Sequence, residues 1–205
     1  MLQIDNRILT YMDNQWKAEN EFSWSDITGK TNITALYPVY PDLDYIQENL
    51  YKNNSLEDIL YVKDEFPAGN SIHLQFKHLF SLLTLYLDRD LQTNLQKIEI
   101  TCPAVSSIIP KSAEIVPADN ETYTTTIAQV SPSGNYSFIV PPVKNMVIAI
   151  NMVTNGKKYT TQLETKSFTG NKEYTYHLKT SEKTPGIITA EDWIAFSQLI
   201  NSNTF

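Results

Sequence analysis

Between Ser71 and Leu87 the chain reads SIHLQFKHLFSLLTLYL, its longest apolar run, and that run changes phase halfway. Ile72, Leu74 and Phe76 alternate with His73, Gln75 and Lys77, the period of two that a strand buried on one side requires. From Ser81 onward the apolar set becomes Leu83, Leu85 and Leu87. A single flat strand would therefore turn its second half inside out. A bulge or a turn between His78 and Leu82 absorbs the change, with Ile72, Leu74, Phe76, Leu83, Leu85 and Leu87 all facing core. A strand buried on both faces is the alternative. A membrane helix is not, because the uncharged run from His78 to Asp88 falls well short of the ~18 residues needed to cross a bilayer.

The same short-strand texture extends along the chain. Arg7–Met12 reads as a strand that turns at Asp13-Asn14, with Phe22 and Trp24 on the return side. Asn32–Tyr40 reads as another, ended by Pro38 and Pro41. The apolar spacing from Asp42 to Tyr61 is nearer helical, yet Asn53 and Asn54 interrupt it, so it reads as a crossing loop with short turns. Ile98, Ile100 and Cys102 alternate in Leu95–Cys102. Pro103, Pro110 and Pro117 then punctuate a stretch suited to a domain boundary. Further strands are expected at 122–129, 135–140, 146–153, 158–163 and 174–179, and Asn155-Gly156 is the strongest hairpin signal, since both central positions of a type I′ turn need positive φ. Without long amphipathic helices, the chain reads as all-β, a sandwich in class.

One helix is expected, at the far end. Thr189 caps TAEDWIAFSQLI, acidic residues fill its first turn, and Trp193, Phe196 and Ile200 share a face. This segment resembles the opening of β-helix repeats in large bacterial surface proteins; packing on its own domain is the alternative.

The chemistry that the residues exclude is broad. His73, His78 and His177 are the only histidines, and none stands in a metal-ligand spacing. No nucleophile elbow or phosphate-cradling glycine loop is present. His78 reads as a hydrogen-bonded residue at the strand break. The single Cys102 allows no intrachain disulfide and reads as a buried structural thiol. A net charge of −7, with Lys and Arg scattered among carboxylates, excludes a nucleic-acid surface. No catalytic residue, cofactor or metal ligand is assigned.

Several segments together resemble the fimbrillin-like proteins, surface and fimbrial subunits of Gram-negative anaerobes. They are Asp13-Asn14-Gln15-Trp16, Ser23-Trp24, Ile33–Pro38 and Asp58–Tyr61. The central signature follows, through Phe76, Lys77, His78, Leu79, Ser81 and Leu83, and then Asn155–Tyr159 and Gly170–Tyr174. The resemblance covers roughly residues 8 to 180 and makes Trp16, Tyr37, Pro38, Phe76, His78 and Ser81 family-signature positions. It implies two Greek-key sandwiches of transthyretin-like kind in tandem, residues 1–107 and 108–182, with 183–205 as linker and helix. It further implies an exported protein of the cell surface, outer membrane or fimbrium, paired with other fimbrial subunits or surface proteins by β-strand addition through residues near both ends. A host protein or glycan is a further expected partner.

The first residues carry no signal peptide, so the sequence reads either as a cytoplasmic protein or as the mature or trimmed form of an exported one. A carbohydrate-binding module is the second reading, because Trp16, Trp24, Tyr37 and Tyr40 lie in one region and aromatic faces stack on sugars.

Overall fold

A computed structural model describes residues 9–13, 15–18, 29–38, 50–67, 73–93, 95–110, 112–128, 133–142, 144–154, 156–179 and 199–202. The chain opens with a hairpin, β1 (Leu9–Met12) and β2 (Gln15–Ala18), paired Met12 to Gln15 across a turn in which Asp13 has a φ of 54°. β3 (Lys30–Tyr37) stops before Pro38, as the proline requires, and pairs antiparallel with β6 (Leu60–Pro67).

Between them, where the residue pattern predicts only a crossing loop with short turns, lies a hairpin. β4 (Tyr51–Lys52) and β5 (Ser55–Leu56) close across Asn53 and Asn54, whose φ angles are 53° and 61°. Two adjacent asparagines in the left-handed region make the turn that suits a two-residue hairpin. Leu60 and Tyr61, also assigned to that loop, begin β6 instead.

The phase switch is real. β7 (Lys77–His78) pairs with β6, the chain bends at Leu79-Phe80, and β8 (Ser81–Leu87) starts a different sheet. Leu83, Leu85 and Leu87 are buried. Leu74 and Phe76 are only half-buried, and residues 73–76 form no strand. Ile72 lies outside the described residues. The buried side chains before the switch are instead Leu79 and Phe80, at 4% and 1% exposure. A strand cannot bury two successive side chains on one face, so burying both takes irregular backbone.

A four-residue helix, α1 (Arg89–Gln92), leads into β9 (Leu95–Ile109), which forms a long hairpin with β10 (Glu114–Ile127). The expected boundary between residues 107 and 108 falls inside β9. Pro103 and Pro117 both lie in strands, and the pairing shifts register on either side of Pro117. β11 (Asn135–Val140), β12 (Lys144–Thr154), β13 (Lys157–Ser167) and β14 (Glu173–Leu178) complete the expected run, with Gly156 at a φ of 72° in the β12–β13 turn.

The last element is β15 (Leu199–Ser202), antiparallel to β14. Leu199 and Ile200 were expected to end a helix; they are strand. The open side of β14 offers backbone partners to four residues, whereas a short helix is marginal without a packed face. The rest of that expected helix, Trp193 and Phe196 included, lies outside the described residues.

Two sheets, ordered β10-β9-β12-β13 and β11-β8-β14-β15, enclose the larger core. Leu83, Leu85, Phe138 and Tyr176 meet Ile98, Ile100, Ile148 and Ile150 there. A second core gathers Leu50, Leu56, Ile59, Leu79, Phe80, Val105 and Ile108 beneath Leu36 and Tyr61 of the β3-β6-β7 sheet. The two cores explain both irregularities. The chain crosses from the second core to the first at Leu79–Ser81, and back again between Cys102 and Val105. Each crossing reassigns the inward face, so each needs a break in the alternation. No helix among the described residues is long and apolar enough to cross a membrane.

Candidate functional site: the break between the two cores

The signature segment around His78 is where the structure concentrates its polar contacts. The bend exposes backbone groups that a ladder would have paired, and two loops satisfy them. From one side, the Leu79 N–H donates to the Ile59 carbonyl at 2.7 Å, and His78 Nδ1 lies 2.6 Å from Asp58 Oδ2. The other Asp58 oxygen, Oδ1, is buried with no hydrogen-bond partner among the described residues.

On the opposite side the loop from Phe168 to Lys172 closes over the bend. The His78 N–H donates to Asn171 Oδ1 at 3.1 Å, while the Asn171 N–H donates to the Phe80 carbonyl at 2.9 Å. Ser81 Oγ donates to the Thr169 carbonyl at 2.9 Å, and the Leu82 N–H to the Lys172 carbonyl at 3.0 Å. Asn171 holds a φ of 61°, a region that asparagine tolerates better than most residues. Gly170 sits so near that a Cβ on it would stand 2.4 Å from the Leu79 carbonyl oxygen. The loop is itself braced by stacked Phe168 and Tyr174 rings, 4.1 Å between centroids, and by the Thr169 N–H donating to the Tyr174 hydroxyl at 2.9 Å.

Of the signature positions, His78 and Ser81 thus act at the bend through hydrogen bonds. Phe76 is half-buried just before it. Tyr37 ends β3 at 54% exposure, and Trp16 lies in β2. Trp24 and Tyr40 lie outside the described residues. The partners Asp58, Thr169, Gly170 and Asn171 were not predicted as site residues, although both of their segments carried the resemblance; nothing in one dimension links residue 58 to residue 171. His73 is exposed, while His177 is stacked on Tyr86 at 5.0 Å. Among the described residues no three His, Cys, Asp or Glu side chains gather in a way that could hold a metal ion.

A second polar knot joins the cores at β9. The Val105 N–H donates to the Tyr51 hydroxyl at 2.6 Å, the Tyr123 hydroxyl donates to the Ile139 carbonyl at 3.0 Å, and the two rings lie 5.0 Å apart. Burial pushes the adjacent Cys102 thiol from 9.0 up to about 12, although a hydrogen bond with Tyr123 opposes it. Burial, then the neighbouring Cys102 and Tyr51, push the Tyr123 phenol up as well. Between pH 9 and about 12 the unfolded chain has lost the thiol proton that the folded chain keeps. Stability is therefore full below that window and falls as pH rises through it. Raising the pH from about 8 to about 10.5 is expected to cost about 2 kcal/mol through Cys102 alone, seen as a lower urea midpoint. Cys102→Ala should flatten that part of the pH dependence; an unchanged slope would remove the thiol from the account.

Comparison with known proteins places this architecture. It is shared with solved candidate cell adhesion and fimbrial proteins of Bacteroides. A candidate cell adhesion protein from Bacteroides ovatus superposes with a TM-score of 0.62 at 15% identity, covering 93% of this chain and 76% of that one. Another from Bacteroides uniformis gives 0.58 at 10% identity, over 85% and 73%. A fimbrial protein from Bacteroides vulgatus gives 0.51 at 10% identity, over 96% and 84%. Identities this low establish the fold. The family rests on the sequence: the fimbrillin-like profile matches residues 2–193, and the chain belongs to that family. No curated protein matches it.

Proposed function

We propose that the chain is a non-enzymatic subunit or adhesive module of an exported surface assembly, acting through strand pairing and surface contacts. The observation that carries this reading is β15. It lies antiparallel on the open side of β14, pairing residues Glu173–Tyr176 of that strand with Leu199–Ser202. An edge that accepts one short strand of backbone partners accepts another from a neighbouring subunit, because backbone pairing supplies the affinity and the alternate side chains the selection. The bend at His78–Leu82 then has a mechanical role: it fixes β8, to which β14 is paired in parallel, against the second core.

Removing Leu199–Phe205 is expected to open this edge. The shortened chain should take up a labelled peptide of residues 196–205, seen as a rise in fluorescence anisotropy, and the intact chain should not. No uptake by the shortened chain would overturn the reading, as would turnover in a substrate screen abolished by His78→Ala. The carbohydrate reading is favoured by one observation, the exposed ring of Tyr37 at the end of β3. A glycan array that distinguishes the native chain from Tyr37→Ala tests it.

A further inference from the structure

We propose that the outer edge of β13 is a contact between two copies of this chain, paired antiparallel about Thr161. β13 is an eleven-residue strand at the end of its sheet, and among the described residues only β12 pairs with it. The other edges around the larger core are shorter or blunted. β10 carries Pro117 and register shifts on both sides of it, and the β4–β5 hairpin reaches it, with Thr125 Oγ1 donating to the Asn54 carbonyl at 2.9 Å. β11 has six residues, and β14 is capped by β15. Proline, bulges, covering segments and lysines are means by which proteins close an edge to unwanted pairing. Among the described residues β13 has no proline, register shift or covering segment, and lysine is the one such device it carries.

The sequence of that edge is complementary to itself. Pairing with β12 sets its faces: Tyr159, Thr161 and Leu163 stand opposite Met152, Ile150 and Ile148 on the core side, and Lys158, Thr160 and Gln162 lie exposed on the other. If two copies share their core-facing side, opposed positions must have the same parity. Centring the pair on Thr161 sets Lys158 opposite position 164, a glutamate, in both halves of the two-fold contact. It also sets Thr160 opposite Gln162, and Tyr159 opposite Leu163. Moving the centre by one residue to Gln162 sets Lys158 opposite position 166, a second lysine. The charges thus select one register and oppose its neighbour. A lysine at position 158 placed only to discourage pairing would need no acid at the mirrored position. The contact is isologous and closes at two copies. It leaves β14 and β15 untouched, so it stands or fails separately from the strand acceptance proposed above.

Sedimentation equilibrium of the full chain at low ionic strength should show a monomer–dimer equilibrium. Lys158→Glu and Glu164→Lys, each alone, place like charges opposite each other twice and should weaken association by roughly tenfold or more. An equimolar mixture of the two variants should associate again, because each then faces the charge it lacks; so should the double variant in one chain. Unchanged thermal melts separate lost association from lost folding, and Lys158→Glu lies at an exposed position. A chain monomeric at every concentration, a dimer indifferent to Lys158→Glu, or a mixture that stays monomeric would each overturn the proposal.

Discussion

Phe80→Ala is expected to destabilise the protein by about 3–5 kcal/mol, the range for truncating a fully buried aromatic ring. Phe80 is 1% exposed and packs with Leu50, Leu56, Ile59, Leu79, Val105 and Ile108. Those neighbours come from separate segments, the β4–β5 hairpin, the loop before β6, the bend and the β9–β10 hairpin, so the ring joins parts of the chain that share no ladder. Collapse into the vacated space is opposed by the bend, whose Phe80 carbonyl is held by the Asn171 N–H and whose Leu79 N–H is held by the Ile59 carbonyl. Phe76→Ala should cost far less, since that ring is half-buried. Urea titrations of the two variants provide the check. Equal losses would mean that the second core does not depend on the ring at position 80.

Gly170→Ala is the second large effect. The added methyl carbon would meet the Leu79 carbonyl oxygen at 2.4 Å, with the Leu79 carbonyl carbon at 3.2 Å and the His78 oxygen at 3.4 Å. All three are backbone atoms, so no rotamer relieves the clash. Either the 168–172 loop or the bend must move, and movement of either breaks the hydrogen bonds of Ser81 to Thr169 and of His78 to Asn171. A cost of about 1–3 kcal/mol is expected from the overpacking, with the lost bonds adding to it. Thermal melts measure the cost, and amide exchange locates it: the Leu82 and Asn171 N–H groups should lose protection before those of β12 and β13. A variant with native stability and native protection would show that the loop does not clamp the bend.

Much of the secondary structure was legible because strand alternation and turn chemistry are local. The phase change after Phe76 announces a bend, and Asn155-Gly156 announces the β12–β13 hairpin. Two local signals mislead. Asn53-Asn54 interrupts the helical spacing around it, yet paired asparagines flanked by short apolar runs suit the same positive-φ turn. Thr189–Ile200 carried a capped amphipathic pattern, yet Leu199 and Ile200 pair with β14. Their partners lie in residues 173–176, and local propensity does not see a partner at that distance.

The site was legible only as a set of disconnected segments. His78 and Ser81 carried the family resemblance, and so did Asp58 and Gly170-Asn171, but their assembly around one bend is a property of the tertiary structure. By itself, the sequence determined the all-β class, most strand positions, the place where alternation fails and the family. Each of these follows from residue order, through side-chain period, proline and asparagine chemistry, and signature spacing. Only the tertiary structure decided why alternation fails there. Two cores draw on the same strands from opposite sides, so the buried face must change wherever the chain passes between them. It also decided that Phe80 rather than Phe76 is the anchoring ring, because burial depends on which distant segments converge, and one strand's pattern says nothing of what will lie across from it.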